Sequence, residues 1–345
     1  MAELRYRDIK IDGNLVNVNI NQSGDCNLQD GNFWLNENKI YTFNPKDEGL
    51  DGYDEITIQV DVPQGGEGVT IVEGTKFAES RFTEIPQAYY DYINSVNDWD
   101  AMFVNSSIES FDPSKLDPTN VITIATMFNN TRISGKYDLS HWNMSNIQNI
   151  NMVIRICGHL EELNVSGWDL RNCNSFYEPF SQNSREVFNE DGSMYYDGLK
   201  KIDMSNWLLP TERTIGLECP FVGCKALIEA NCSGIDWSIV HSMGWGFFNE
   251  CYALRKFKTQ NLCAHRDITN VYMGDSPIAV NTDEITDAYE YSIETFTTLH
   301  DRRSEDGWED CLLVLHPDTA NALGSELIEG IKSKGYQINV NGEPI

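Results

Sequence analysis

The chain is short of positive charge. Its 345 residues hold 25 lysines and arginines against 53 aspartates and glutamates, a formal net charge of −28. A surface that negative repels phosphate backbones, which makes nucleic acid a poor partner. It suits solubility, cations or a basic protein surface. Long apolar runs are missing too: no stretch approaches the roughly 18 consecutive apolar residues of a membrane span, so membrane insertion is not expected. The start, Met1-Ala-Glu-Leu-Arg-Tyr-Arg-Asp-Ile-Lys10, is charged where a signal peptide needs an apolar core, and Cys26 lies in a polar segment unsuited to a lipid anchor. The expectation is a chain that folds in a cytoplasm.

Catalytic and cofactor motifs are equally scarce. No Gly-x-x-x-x-Gly-Lys-Ser/Thr and no Gly-x-Ser-x-Gly occurs. Gly65-Gly-Glu-Gly68 misses the dinucleotide spacing and runs into Val69-Thr-Ile-Val72, which reads as strand rather than helix. Asp47, Asp51 and Asp54 miss the EF-hand order and read as a solvated turn. Cys263 and His265 could be half of a metal site, but no second pair has ligand spacing. The six histidines are scattered. No metal, cofactor or catalytic set is expected, and the chain is read as a non-enzyme. Glycoside hydrolysis, which needs only two carboxylates placed by the fold, stays open as a rival.

What the chain does have is a period. Hydrophobic residues make up 41% of it and aromatics 11%, ample for burial in two or three domains. An apolar residue opens each unit at Phe77, Phe103, Phe128, Ile154, Phe180, Phe221 and Phe248, in steps of 26, 25, 26, 26, 41 and 27. A second position, Ile85, Phe111, Tyr137, Leu163, Ile202, Ala230 and Phe257, jumps at the same place. One unit therefore carries an insertion, residues 181–198.

The middle of the unit repeats in detail. Phe111-Asp-Pro-Ser-Lys-Leu-Asp-Pro-Thr-Asn-Val121 aligns with Tyr137-Asp-Leu-Ser-His-Trp-Asn-Met-Ser-Asn-Ile147, with Leu163-Asn-Val-Ser-Gly-Trp-Asp-Leu-Arg-Asn-Cys173 and with Ile202-Asp-Met-Ser-Asn-Trp207. Apolar residues two apart describe a short strand with one buried face. The Asp/Asn and Ser that follow can bond local backbone and turn the chain. Trp142, Trp168 and Trp207 recur at one corner and are expected to stack unit on unit. Cys157, Cys224 and Cys251 each fall three residues after an opener, where a thiol serves as a small buried hydrophobe; disulfides are the alternative.

At Met127-Phe-Asn-Asn and Asp138-Leu-Ser-His-Trp-Asn-Met-Ser-Asn-Ile147 the chain resembles the BspA-like leucine-rich repeat family. The resemblance covers about 200 residues, and departs where Met152-Val and Pro179-Phe replace Met-Phe and where Asn231-Cys-Ser-Gly-Ile235 lacks its Trp. It implies a mainly β fold with some α: a leucine-rich-repeat-like solenoid of about seven units over residues 77–280. Leu50-Asp-Gly-Tyr-Asp-Glu-Ile-Thr-Ile-Gln-Val-Asp-Val62 and the segment from Leu312-Leu-Val-Leu-His-Pro317 to Val340 resemble pieces of tailed-phage appendage and gut-bacterial proteins.

The flanks read differently from the repeat. Alternating apolar residues in 1–63 predict a small antiparallel β domain, 64–76 a linker with a hinge at Pro63-Gln-Gly-Gly-Glu-Gly68, and 281–345 a helix–strand–helix–strand cap. The helices are expected at 283–300 and 319–334.

These resemblances imply a structural or receptor-binding appendage of a tailed-phage virion, of tail- or head-fibre type, folded in the host cytoplasm. A bacterial cell-surface adhesin is the alternative, and a carbohydrate-active enzyme the more distant one. The implied partners are other virion proteins through the N-terminal domain, a bacterial surface protein or glycan, and further copies of the chain. The candidate contact residues are Phe188, Met194, Tyr195 and Tyr196 of the insertion, which could be exposed for recognition or fold back on the repeat.

Overall fold

The structure, a computed structural model, describes residues 8–11, 14–15, 40–43, 56–59, 76–280 except 79, 81 and 86, and 288–345. The 63–68 hinge, the 69–72 strand, the three aspartates of the 47–54 turn and Cys26 lie outside the described residues. Near the N-terminus β1 (Asp8–Ile11), β2 (Asn14–Leu15), β3 (Ile40–Phe43) and β4 (Ile56–Gln59) pair antiparallel in the order β2-β1-β4-β3.

The arrangement of the remaining strands corrects the expectation of one mainly-β leucine-rich-repeat-like solenoid. After α1 (Gln87–Ser95) the strands are short and divide among several sheets, parallel and antiparallel. The largest is parallel, in the order β13-β11-β9-β6-β5, from β5 (Ser134–Asp138), β6 (His159–Asn164), β9 (Lys201–Asp203), β11 (Glu229–Asn231) and β13 (Lys256–Lys258). β7 (Ser184–Phe188) and β8 (Met194–Gly198) form an antiparallel hairpin, while β10 (Ile215–Gly216) pairs β12 (Val240–Ser242) in parallel. β14 (Asn270–Met273), β15 (Cys311–Leu315), β16 (Tyr336–Val340) and β17 (Glu343–Pro344) make a mixed sheet, with α2 (Ala288–Thr297) and α3 (Pro317–Ser333) beside it. The fold is mixed α and β. The physical reason is that a unit devotes at most a few residues to a strand and the rest to turns, so the units pair through short ladders and single bridges rather than one long sheet.

The period survives as register. Tyr137, Leu163, Ile202, Ala230 and Phe257 are direct partners across the five-stranded sheet, and all are buried. On its outer face the same register alternates charge: Lys136 reaches Glu162 at 2.6 Å and Lys201 reaches Glu229 at 2.8 Å. A slip by one residue would break both the apolar row and the charge row. Exposed pairs of this kind contribute little stability each, so their effect is mainly on register.

Turns are held from unit to unit by backbone. Phe103 N donates to Met127 O (2.9 Å), Phe128 N to Val153 O (2.8 Å) and Ile154 N to Pro179 O (3.0 Å). The residue two after the opener adopts a left-handed conformation at Asn105, Asn130, Ile156, Gln182 and Glu250. That conformation is costly for Ile156, and the bond from its N–H to Ser181 O (3.2 Å) holds it there.

The third position after the opener is a column of small polar groups: Ser80, Ser106, Thr131, Cys157, Asn183, Cys224 and Cys251, all buried. Four of its members, Cys157, Asn183, Cys224 and Cys251, reach back to the opener's carbonyl in the unit before. Thr131 Oγ1 instead donates to its own opener, Phe128 O (3.0 Å), and the Ser80 and Ser106 hydroxyls have no partner among the described residues. Cys157 Sγ lies 3.0 Å from Phe128 O, Cys224 Sγ 3.2 Å from Phe180 O and Cys251 Sγ 3.1 Å from Phe221 O. Asn183 does more: its Nδ2 donates to Ile154 O (2.7 Å) and Phe180 O (2.8 Å), and its Oδ1 accepts from Cys157 N (2.7 Å). All eight described cysteines are free and buried. Phe103, Phe128, Ile154, Phe180, Phe221 and Phe248 are buried to 1% exposure or less, the ring pairs 103/128 and 221/248 stacking at 5.4 Å.

The tryptophan column is only partly continuous. Trp168 and Trp207 stack at 5.9 Å and 9°, whereas Trp142 meets Trp99 edge-on at 6.2 Å. The indole N–H groups are more regular, donating to Pro113 O from Trp142 (3.2 Å), Leu139 O from Trp168 (2.8 Å) and Val165 O from Trp207 (2.7 Å).

At the far end α2 closes the edge of β13. Ser292 Oγ accepts from Phe257 N (3.2 Å), while Thr295 Oγ1 accepts from Thr259 N (3.1 Å) and donates to Phe257 O (2.8 Å). Two hydroxyls three residues apart on one helix face thus satisfy backbone that would otherwise be a bare strand edge. The buried Arg302 guanidinium ties the next segment down through the carbonyls of Cys263 (3.1 Å), His265 (3.2 Å), Arg266 (3.2 Å) and Glu309 (2.9 Å). Where the sequence predicts one helix over 283–300, the described helix is Ala288–Thr297. The second runs Pro317–Ser333, starting two residues earlier than expected because Pro317 suits the first helical position.

The double substitution Ser292→Ala, Thr295→Val leaves two buried N–H groups and a carbonyl unpaired. It is expected to lower the unfolding free energy by about 2–4 kcal/mol in urea titration; an unchanged midpoint would show that the edge does not need these hydroxyls. Burial raises the thiols of Cys157 to about 11 and of Cys173 and Cys224 to about 12, against 9.0 for a free thiol. Because the folded values are the higher ones, the stabilising contribution is complete below pH 9.0 and is lost as pH climbs towards the folded values. The urea midpoint is therefore expected to fall above about pH 9, by roughly 1 kcal/mol per buried thiol near pH 10. It should fall less steeply in Cys157→Ser, Cys224→Ser.

Candidate binding groove

The insertion folds as the β7–β8 hairpin. Its base is set by Gly198, whose φ of 132° few other residues adopt and where a Cβ would collide with Asn183 O. Its tip is closed by Asp191, which accepts from Ser193 N at 2.9 Å. The pairing places Glu186 opposite Tyr196 and Phe188 opposite Met194, so these four share one face, while Val187 and Tyr195 share the other. Phe188 is 67% exposed, Met194 44% and Tyr195 46%, whereas Tyr196 is half-buried. Exposure and folding-back are thus both realised: the tip stands in solvent and Tyr196 turns inward, its ring 6.0 Å from Tyr252.

Beside this face lies a groove of about 320 Å³. Its walls come from the hairpin (Arg185, Glu186, Tyr196), from the left-handed turn residues Ile156, Gln182 and Gly223, and from Lys225, Trp245 and Glu250 of the following units. Trp245 is 65% exposed. Lys225 Nζ sits 5.1 Å from the centre of the Tyr196 ring and 3.3 Å from Glu250 Oε2. Burial opposes the Lys225 charge, but Glu250 and the neighbouring Tyr196 and Tyr252 hold its pKa above the ordinary lysine value. Arg185 is paired with Asp197 at 2.8 Å. Burial would raise the Asp197 carboxyl, but bonds from Lys200 and Arg185 outweigh it and keep that pKa low.

Glu186, Gln182, the Tyr196 hydroxyl and the Trp245 N–H have no side-chain hydrogen bond among the described residues. The groove combines apolar ring faces with free hydrogen-bonding groups and paired charges, an arrangement suited to holding a small polar ligand.

A second concavity, about 420 Å³, lies against the C-terminal segment, lined by Asp236, Trp237, Ser238, Asn261, His300, Glu305 and Trp308 among others. Much of its lining is already engaged. Asp236 accepts from Ser238 N (3.0 Å) and Oγ (2.6 Å), and Trp308 lies between His300 (5.2 Å) and the Arg302 guanidinium (5.0 Å). Among the described residues no group of three or more His, Cys, Asp or Glu could hold a metal ion, and no helix is long and apolar enough to cross a membrane. Cys263 is buried beside Cys311 rather than paired with His265 as a ligand set.

The hairpin aromatics stand out in the sequence as members of an insertion. Trp245, Lys225 and Glu250 do not, because they lie in later units of the chain and reach the groove only where successive units meet. An available signal is Gly244-Trp-Gly246, a lone tryptophan between glycines off the tryptophan register.

A protein-family model described as "Mycoplasma protein of unknown function, DUF285" matches residues 79–212. The matched stretch takes in the earlier units of the region that resembles the BspA-like repeat, ending at residue 212, and is consistent with a repeat of that kind. No curated protein and no solved structure matches the chain.

If the hairpin tip serves recognition and not stability, Phe188→Ser combined with Met194→Ser should shift the thermal midpoint by no more than about 2 °C, the range of ordinary surface substitutions. Gly198→Ala is expected to cost more than about 1 kcal/mol by forcing the hairpin base apart. Equal effects from the two variants would refute this division.

Proposed function

We propose that the chain is a non-enzymatic surface-recognition protein: a tail- or head-fibre-type appendage of a tailed-phage virion that presents the β7–β8 hairpin to a bacterial surface. The observation that carries the reading is the exposure of Phe188, Met194 and Tyr195 on one short hairpin, with Trp245 and Tyr252 nearby in the fold. Exposed large apolar side chains gathered in one place are costly in a monomer and are characteristic of contact surfaces. Aromatic anchors of this type also tend to dominate binding energy. The acidic surface, −28 overall, favours partners that are basic or neutral.

In this reading residues 1–63 attach the chain to other virion proteins and further copies assemble with it. The virion setting draws on the resemblance of the 50–62 and 312–340 segments to appendage proteins. A bacterial cell-surface adhesin of the same repeat family is the second reading, since the family matched over residues 79–212 is described from a bacterium, Mycoplasma, with its function unknown.

Labelled full-length chain is expected to sediment with host bacteria. Phe188→Ser combined with Tyr195→Ser should weaken that association about tenfold or more, the loss usual for an aromatic anchor pair. Undiminished sedimentation by the double variant would remove the hairpin as the contact. An antibody against the chain should decorate purified virions, and decoration of uninfected cells instead would favour the second reading.

A further inference from the structure

We propose that the groove beside the hairpin binds a neutral sugar residue, stacked on Trp245 and Tyr196 and held through its hydroxyls by Gln182 and Glu186. The inference rests on the surface-recognition reading and specifies what that surface takes hold of. Three features of the groove select the ligand class.

The first is the pairing of ring faces with free polar groups. Trp245 leaves 65% of itself in solvent, and Tyr196 is covered on one side by Lys225 at 5.1 Å. A pyranose presents an apolar C–H face that covers such a ring, and a rim of hydroxyls at its edge. The Gln182 amide can both donate and accept, and the Glu186 carboxylate accepts from two hydroxyls at once. Neither side chain has a partner among the described residues.

The second feature is charge. Arg185 is neutralised by Asp197 at 2.8 Å and Lys225 by Glu250 at 3.3 Å, which leaves the Glu186 carboxylate as the unpaired charge of the groove. A phosphate, uronate or sialic acid would meet that carboxylate inside a chain of net charge −28, whereas a neutral polyol would not. The third is shape. The volume, about 320 Å³, is at the low end for small-molecule sites and suits one or two sugar rings. Phe188 and Met194 share the hairpin face with Glu186 and Tyr196, so the surface continues from the groove towards the tip, as an oligosaccharide would need. The free groups lining the groove are side chains, whereas an extended peptide is captured mainly by main-chain bonds at a sheet edge.

The test titrates the full-length chain with glucose, galactose, rhamnose and N-acetylglucosamine and their short oligomers, and with glucuronate and sialyllactose. It is followed by saturation-transfer NMR and tryptophan fluorescence. Saturable binding of at least one neutral probe is expected, with signal on the C–H face of the ring. Trp245→Ala should abolish both the NMR and fluorescence responses, and Glu186→Gln should weaken binding about tenfold, while Glu326→Ala, exposed on α3 and outside the groove lining, leaves binding and the thermal midpoint unchanged as a reference.

Preference for the anionic probes, or neutral-sugar binding unaffected by Trp245→Ala, would overturn the proposal. So would a chain that sediments with host cells, is competed by none of the neutral probes and is indifferent to Trp245→Ala, and that outcome leaves surface recognition standing. Sugar binding by a chain that does not sediment with cells would instead retain the groove and sink the surface reading.

Discussion

The constraint on which the rest of the structure depends is that a chain built mostly of turns must find partners for its buried backbone. Short strands satisfy only a few residues of each unit. The remaining N–H and C=O groups are satisfied by the neighbouring unit, as in the bonds from Phe103 to Met127 and from Phe128 to Val153. Those bonds go with left-handed backbone at corresponding places, even at Ile156, and with a small buried residue three positions after each opener, which in four units bonds the preceding opener's carbonyl. Cysteine, serine, threonine and asparagine all occur there because each is compact enough to be buried, and the cysteines and Asn183 also reach the preceding carbonyl. The cysteines are therefore conformational parts of the repeat, and burial keeps them protonated.

The same constraint explains how the chain tolerates its insertion. Asn183 stands where the period is interrupted, and its amide bonds the carbonyls of Ile154 in the unit before and of Phe180 in its own, while its oxygen accepts from the Cys157 N–H. With that junction saturated, the hairpin can project without opening the stack beneath it. It also explains the far end, where Ser292 and Thr295 of α2 occupy the backbone groups that a further strand would have used. The junction and the terminus thus answer the same demand with side chains.

Much of this was legible in the sequence, and some was not. The openers and the second apolar series lay on a visible period, and the sheet register joins the later members of that second series, Tyr137, Leu163, Ile202, Ala230 and Phe257. The architecture expected from that period was too uniform. A spacing records how often the chain returns, and it does not record how many residues of each return are extended enough to pair. The tryptophans show the same limit: spacing aligned Trp142 with Trp168 and Trp207, but only the last two stack, because ring orientation is set by local packing, and Trp142 meets Trp99 edge-on instead.

By itself the sequence determined the length of the repeating unit, the place of its insertion, the acidity of the surface and the types of residue at each buried position, because these are local or compositional properties. Tertiary structure alone decided that the strands divide among several small sheets, that Tyr196 turns inward while Phe188 stays exposed, and that Trp245, Lys225 and Glu250 join the hairpin around one groove. Those outcomes depend on side chains from different units meeting in space. That meeting is governed by packing and backbone hydrogen bonding between units, which no single stretch of sequence contains.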